Sequence, residues 1–336
     1  MSLVASMQGF KSVLHANLIF KLPVPVANAA ELAQQTMIVT GANGGLGYEA
    51  SMHLSRLGLG RLIMGVRTPA KGEEAKKNIL AATRQPESSI EVWPIDMDSY
   101  DSIKSFASRA SELPRLDGVL ANAGIMTNKF RWSEKSESTL NVNVISTFLF
   151  YLLLLPKMRE SCAQTGHVCR FVIPNSALHY MSPIAELDPT QDNIINRLND
   201  EKKANMGGRY PLTKLLVLFA VREAAKRANT SKGAVIINTP NPSFCKSNLT
   251  GDMYAGNTGA KIFEKLVART TEEGSRVLVH GLLAGADTNG QYLNNCHVET
   301  PAKHVINDLG QKIQVKFFDD LLKKLDDIEP GVSSNL

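Results

Sequence analysis

An α/β fold, doubly wound around a parallel sheet, is predicted by three observations in this 336-residue chain. From Thr36 onward, short β-branched or apolar runs alternate with segments of helical period, the pattern of βαβ units. A glycine-rich stretch, Thr40-Gly-Ala-Asn-Gly-Gly-Leu-Gly47, lies where the first such run passes into the first helix. Further on, Tyr210-Pro-Leu-Thr-Lys214 opens another helical segment and places a phenol and an ammonium on one face. With 43% hydrophobic residues against 21% charged, the chain can bury a sizeable core.

In chain order, residues 1–35 form a lead-in with Pro23 and Pro25, read as a short helix and an extended connector. Residues 36–336 are read as a single Rossmann-type domain, an open parallel sheet covered by helices. Its strands are expected at Thr36–Thr40, Arg61–Val66, Ile90–Ile95, Gly118–Asn122, Val168–Pro174 and Ala234–Thr239. The helices between them fall near Leu46–Leu57, Pro69–Thr83, Ser99–Ser111, Lys135–Arg159 and Tyr210–Ala228, with a C-terminal helix near Val315–Leu325. The apolar run Phe148–Leu155 ends at Pro156, is too short to span a bilayer, and reads as the middle of a helix buried on most sides. Two stretches stand outside the repeating unit, Met181–Gly208, rich in Asp and Asn, and Leu249–Thr271. Both should lie at the carboxyl ends of strands, where ligands of open α/β sheets bind, and are assigned to the walls and lid of a substrate pocket near 181–208 and 249–271.

The balance of charge excludes some functions. A net charge of +5 is small for this length, and no stretch concentrates Lys and Arg with interleaved aromatics, so no nucleic-acid partner is expected. The four cysteines, Cys162, Cys169, Cys245 and Cys296, show no CxxC or metal-ligand spacing and fit buried thiols in a reducing compartment. Neither His179 nor His304 has a second histidine or a cysteine at helical spacing, and no metal is expected. Lys11 and His15 interrupt the apolar stretch near the N-terminus, so no export signal is read and a cytoplasmic location is expected.

Gly41, Gly45 and Gly47, with Asn43 and Leu46 between them, follow an expected strand and open an expected helix. Glycines let backbone N–H groups approach a pyrophosphate while the helix N-terminus supplies partial positive charge. The spacing is GxxxGxG rather than GxGxxG. At the end of the second strand, Met64-Gly-Val-Arg67 puts Val66 where NAD-binding folds carry a carboxylate, with Arg67 beside it. A guanidinium matches the 2′-phosphate bidentately, which favours NADP (NADPH) as cofactor.

Tyr210 and Lys214, four apart on a helix, differ by about 40° in direction and about 6 Å in height. A cation beside a phenol favours phenolate, and bringing a pKa of ~10 near 7 requires about 4 kcal/mol of differential stabilisation. Such a phenol can move a proton at neutral pH.

Together these residues resemble the short-chain dehydrogenase/reductase family over roughly Thr36–Leu249. Thr40–Gly47 matches its TGxxxGxG. Asp96, in Pro94-Ile-Asp-Met-Asp98, matches the acidic residue placed beside the adenine, with Asp98 the less favoured reading. Ala121-Asn-Ala-Gly124 resembles the NNAG motif with its first Asn replaced, so that Asn122, Ala123 and Gly124 carry the matched positions. Asn143, in Asn141-Val-Asn-Val-Ile-Ser-Thr-Phe148, matches the active-site Asn, and Ser176, in Phe171-Val-Ile-Pro-Asn-Ser176, matches the catalytic Ser.

The resemblance implies that Ser176 hydrogen-bonds the substrate oxygen and that Tyr210 exchanges its proton. Lys214 binds the nicotinamide ribose and lowers the Tyr210 pKa, and Asn143 anchors a water reaching Lys214. After the last expected strand, Pro242-Ser-Phe-Cys-Lys-Ser247 departs from the family's Pro-Gly turn: Ser247 keeps the hydroxyl near the carboxamide, but Ser243 stands where Gly is usual. If that position needs positive φ, Ser is strained there. Pro174 before Asn175-Ser176 also removes a backbone donor at a strand end.

The long Ser176-to-Tyr210 separation resembles retinol-dehydrogenase-like members. The tail segments Glu273-Gly-Ser-Arg-Val-Leu-Val-His280 and Gly290–Leu293 resemble oxidoreductases of fungal secondary metabolism. These likenesses imply an NADP(H)-dependent oxidoreductase acting on a carbonyl or alcohol of a bulky, lipophilic natural product. Three alternatives stay open: an imine or enone reductase, a non-redox cyclisation or isomerisation, and a non-catalytic binding module. A homodimer through the Asn143 and Tyr210 helices is also left open, since the lead-in and C-terminal helix could cover those faces.

Overall fold

The computed structural model describes residues 13–228, 233–246 and 264–336. The first strands and helices alternate as expected: β1 (Thr36–Thr40), α1 (Gly45–Arg56), β2 (Arg61–Val66), α2 (Pro69–Thr83), β3 (Ile90–Pro94), α3 (Tyr100–Ser111) and β4 (Gly118–Leu120). Helix α4 runs from Ser138 to Thr165 with a π segment at Asn141–Ser146. Then come β5 (Cys169–Val172), α5 (Met206–Arg227), β6 (Val235–Asn241), α6 (Thr271–Leu283), β7 (Tyr292–Asn294), β8 (His297–Val298) and α7 (Asp308–Ile328). One eight-stranded sheet results, in the order β8-β7-β6-β5-β4-β1-β2-β3. Its pairings are parallel except at the β7–β8 edge.

Helix α6 and strands β7 and β8 extend the sheet beyond the strands expected. The other departures have local causes. Helix α4 starts three residues later than expected because Glu134 and Lys135 take left-handed φ of 47° and 66° in a turn that pairs Trp132–Ser133 with Ser136–Glu137. Helix α5 starts four residues earlier than Tyr210 because the Asn205 side chain caps it by accepting the Gly208 N–H. Tyr210 therefore sits in the second turn, where the helical geometry is already set.

The sheet separates two apolar cores. One face packs Phe106, Phe148, Phe150, Phe171, Phe219 and Phe317 under α3, α4, α5 and α7. The other packs Met37, Val39, Leu54, Ile79, Leu278 and Leu282 under α1, α2 and α6. Helix α4 is long and apolar enough to cross a membrane, but 94% of its apolar window is buried in the first of these cores. It continues through Pro156. The proline removes the N–H that Leu152 O would accept, and Asn335 Nδ2 from the C-terminal turn donates to that carbonyl at 3.1 Å.

The C-terminal segment covers the outer faces of α4 and α5. Gln314 Nε2 donates to Glu223 Oε2 at 2.7 Å and Arg227 Nη1 to Asp319 Oδ1 at 2.6 Å, while Arg159 reaches the Asn335 and Leu336 carbonyls. The lead-in is tied to the turn after β6 and to α6. Asn17 Nδ2 donates to the carbonyls of Phe244 and Val267 at 2.6 and 2.9 Å, and Arg276 Nη1 to Leu22 O at 2.6 Å.

Candidate active site

The carboxyl ends of β1, β4, β5 and β6 gather the residues singled out by the sequence. After β1 the chain turns through Gly41 and Gly45, both left-handed at φ 67° and 56°. Gly47 answers to close approach instead: a Cβ there would stand 2.5 Å from both Gly41 O and Asn122 Nδ2. The same Asn122 Nδ2 donates to Thr40 O at 3.0 Å, and the Ala123 N–H donates to Thr40 Oγ1 at 3.0 Å. The glycine turn and the Ala121–Gly124 segment are thus one hydrogen-bonded unit. Asn43 is exposed and Leu46 half-buried at the start of α1, whose N-cap, Gly44, offers no side chain to the first N–H groups. A cradle that a Cβ would fill, facing an uncapped helix start, fits a pyrophosphate.

Arg67 is exposed just past β2. Asp96 is half-buried and accepts the Asp98 N–H at 3.0 Å, whereas the Asp98 carboxylate is engaged by the Ser133 hydroxyl.

Asn143 lies in the π segment of α4, the kind of local bulge that occurs where a helix must redirect a residue at a functional site. Both of its Nδ2 hydrogens are used, on Ile125 O at 2.9 Å and Thr213 Oγ1 at 3.2 Å, and its Oδ1 accepts the Ile125 N–H at 2.9 Å. Gly124 leaves room for it, since a Cβ there would come within 3.1 Å of Asn143 Oδ1. Thr213 passes the connection on by donating to Tyr210 O at 2.8 Å. Lys214 Nζ donates to Pro174 O at 2.7 Å and lies 5.5 Å from the Tyr210 ring centroid. Proline's missing donor is thus accompanied by a carbonyl that holds the lysine.

Asn175 braces the next residue: its Oδ1 accepts the Ser176 N–H at 2.8 Å, and its Nδ2 donates to Thr239 Oγ1 at 3.0 Å and Lys214 O at 3.3 Å. Ser176 caps the turn Ala177–Met181, and His179, fully buried, holds the Ser176 carbonyl through Nδ1 at 2.8 Å. Burial pushes the His179 pKa down to about 3, so the ring is neutral, and its Nε2 accepts the Ala302 N–H at 3.3 Å. His304 Nε2 bonds the His179 carbonyl. Ser243 is left-handed at φ 62°, the condition under which a side chain there is strained. Ser247 and most of 249–271 lie outside the described residues.

Tyr210 and Lys214 are each 9% exposed. Burial holds the phenol above its ordinary range and pushes the ammonium down to about 8. The lowering of the phenol expected from Lys214 does not appear in this structure, where desolvation alone shifts the phenol, and upward.

From about pH 8 up to the ordinary lysine value the unfolded chain binds the proton that folded Lys214 has lost, so this group's contribution to stability rises with pH across that window. That rise is expected to disappear in Lys214→Met, followed by urea unfolding at a series of pH values; an identical slope in the variant would assign it to another group.

Asn175 and Thr213 were not singled out by the sequence. Thr213 could have been, since it falls on the Tyr210–Lys214 face; a buried Asn at a strand end carries no comparable signal.

Sheet order and glycine turn together define an open α/β protein of the Rossmann type. A family model described as short chain dehydrogenase matches residues 35–171. The short chain dehydrogenase/reductase dmxR8 of Cryptosporiopsis sp. is 40% identical over 325 residues, covering 96% of this chain and 99% of its own. The short chain dehydrogenase atnD of Emericella nidulans is 40% identical over 282 residues, covering 82% and 87%. Among solved structures, an uncharacterised protein of Mycobacterium paratuberculosis superposes with a TM-score of 0.65 at 20% identity, covering 90% of this chain and 98% of its own. A short chain dehydrogenase of Escherichia coli CFT073 complexed with NADPH superposes at 0.58 and 20% identity, covering 80% and 99%. The chain belongs to the short-chain dehydrogenase/reductase family, whose members are oxidoreductases that bind nicotinamide nucleotides.

Proposed function

We propose that this enzyme uses NADP(H) to reduce a carbonyl of a bulky, apolar natural product, or to oxidise the corresponding alcohol. The observation that carries the reading is the pair of hydrogen-bonded connections beside the glycine cradle, one tying Asn143 through Thr213 to the Tyr210 turn and one tying Lys214 and Ser176 to the β5 exit through Pro174 and Asn175. When bound, the dihydronicotinamide supplies the hydride. Gly41, Asn43, Gly45, Leu46 and Gly47 hold the pyrophosphate, Asp96 and Asn122–Gly124 flank the adenosine side, and Ser243 and Ser247 meet the carboxamide.

Ser176 donates a hydrogen bond to the substrate oxygen, where negative charge develops. Tyr210 gives that oxygen its proton, a role suited to a phenol that burial keeps protonated. Lys214 binds the ribose hydroxyls and supports the phenol as it loses its proton. Asn143 acts by position: with both Nδ2 hydrogens committed, it fixes Thr213 and the Ile125 turn.

NADPH in one similar structure supports the choice of nucleotide, as does Arg67 beside Val66, which stands where NAD-binding folds carry a carboxylate. Arg67→Ala is expected to raise KM for NADPH about 10-fold or more, the loss of one charge-assisted phosphate contact, with KM for NADH little changed. Equal effects on the two nucleotides would count against NADP. The left-handed Ser243 favours a second reading, in which the same pocket catalyses a cyclisation or isomerisation without redox chemistry. Loss of NADPH absorbance with lipophilic ketones, enones or imines supports the oxidoreductase; product formed at constant NADPH supports the other. Because α7 and the C-terminal turn occupy the outer faces of α4 and α5, dimerisation through those helices is not part of the proposal.

A further inference from the structure

The turn after β6 holds Ser243 in a conformation that an L side chain resists, and the buried Ser243 hydroxyl has no hydrogen-bond partner among the described residues. Its backbone, however, is held. Asn241, the last residue of β6 and 1% exposed, accepts the Ser243 N–H on Oδ1 at 2.9 Å. This is an Asx turn, in which a side-chain oxygen bonds the N–H two residues on and so stabilises a tight reversal.

The same Oδ1 accepts a second N–H, that of Ala177 at 3.2 Å, from the residue that follows Ser176 on the neighbouring strand's exit. The orientation of the amide is dictated by its partners. Asn241 Nδ2 donates to Asn294 Oδ1 at 3.2 Å, and Asn294 Nδ2 in turn donates to Glu299 Oε2 at 2.8 Å, so the Glu299 carboxylate orders both amides. Turned over, the Asn241 amide would set an NH2 against two N–H donors. One buried oxygen therefore joins the segment bearing the Ser176 hydroxyl to the turn expected to meet the carboxamide.

We propose that Asn241 is a positioning residue for both halves of the active site. It holds the Ser176 exit and the left-handed Ser243 turn in one register, and it is what allows a side chain to stand where the family has glycine. This inference rests on the nucleotide-dependent reading of the site given above. The buried Asn241 side chain is committed to Ala177, Ser243 and Asn294, so it acts through the segments it holds.

The experiment compares Asn241→Ala, Asn241→Asp and the double variant Asn241→Ala/Ser243→Gly with the wild type. It reads amide hydrogen exchange at Ala177 and Ser243, the Kd for NADPH, and kcat. In Asn241→Ala both amides should lose protection, the Kd should rise about 10-fold and kcat should fall about 10-fold or more, as expected when buried donors lose their shared acceptor. Asp keeps the accepting oxygens but loses the donor to Asn294 Oδ1, so protection of the two amides should be retained while the Tm falls. Adding Ser243→Gly to Asn241→Ala should recover the Kd, because glycine needs no help at positive φ, but not kcat, because Ala177 is still unheld.

Exchange at the two amides unchanged in the Ala variant, exchange in the Asp variant as fast as in Ala, or a lowered Tm in the Ala variant with kcat and Kd intact would each overturn the proposal. A wild-type protein that binds neither NADPH nor NADH would instead sink the functional reading, and the exchange data would still decide whether Asn241 holds the two segments together.

Discussion

Tyr210→Phe is expected to lower the rate of carbonyl reduction by about 10²- to 10⁴-fold, the range supplied by a positioned general acid. The ring should stay where it is. Tyr210 is 9% exposed, and the bond that ties its helix turn to Asn143 runs through the Tyr210 carbonyl and Thr213 Oγ1, neither of which the substitution alters. The NADPH Kd should therefore move by no more than about threefold, since the lost hydroxyl accounts for at most a single neutral hydrogen bond. Fluorescence titration of NADPH alongside steady-state turnover separates the two quantities. Undiminished turnover would remove the phenol from the mechanism.

Gly47→Ala should act on the other half of the site. The new methyl would lie 2.5 Å from Gly41 O, a backbone atom that cannot rotate away, and 2.5 Å from Asn122 Nδ2. Relieving such an overlap typically costs about 1–3 kcal/mol. The helical preference of Ala over Gly returns only about 0.5–1 kcal/mol, so the clash wins. Since the yielding atoms form the phosphate turn, the strain should appear as a nucleotide Kd weakened by about 10- to 100-fold. Calorimetric titration with NADPH and NADP is the measurement; wild-type affinity would show that the cradle does not hold the pyrophosphate.

Much of this architecture is legible from residue order. The strands Thr36–Thr40 and Arg61–Val66 and the helix Pro69–Thr83 have the bounds their apolar patterning indicates, because each is a continuous run closed by glycine, proline or a charge. What escaped was short or locally ambiguous. Strands Tyr292–Asn294 and His297–Val298 contain too few residues to establish a period, and they exist because β6 offers them an edge. Helix Thr271–Leu283 did carry a signal, Thr270 capping the Glu273 N–H in the spacing of a capping box.

At the site, the spacing of Tyr210 and Lys214 and the chain of glycines point to the chemistry. The contacts of Asn143, Asn175 and Asn241 do not follow from spacing, since each links segments dozens of residues apart.

The sequence by itself determined the α/β class, the family and the residues that meet at the strand ends, because periodicity, glycine placement and side-chain type are local properties. Only the tertiary structure decided what those residues are committed to. Which carbonyl holds Lys214, whether burial or a neighbouring charge governs Tyr210, and what steadies Ser243 at positive φ all depend on atoms from other strands. Desolvation and shared hydrogen-bond acceptors arise only when distant segments are packed together.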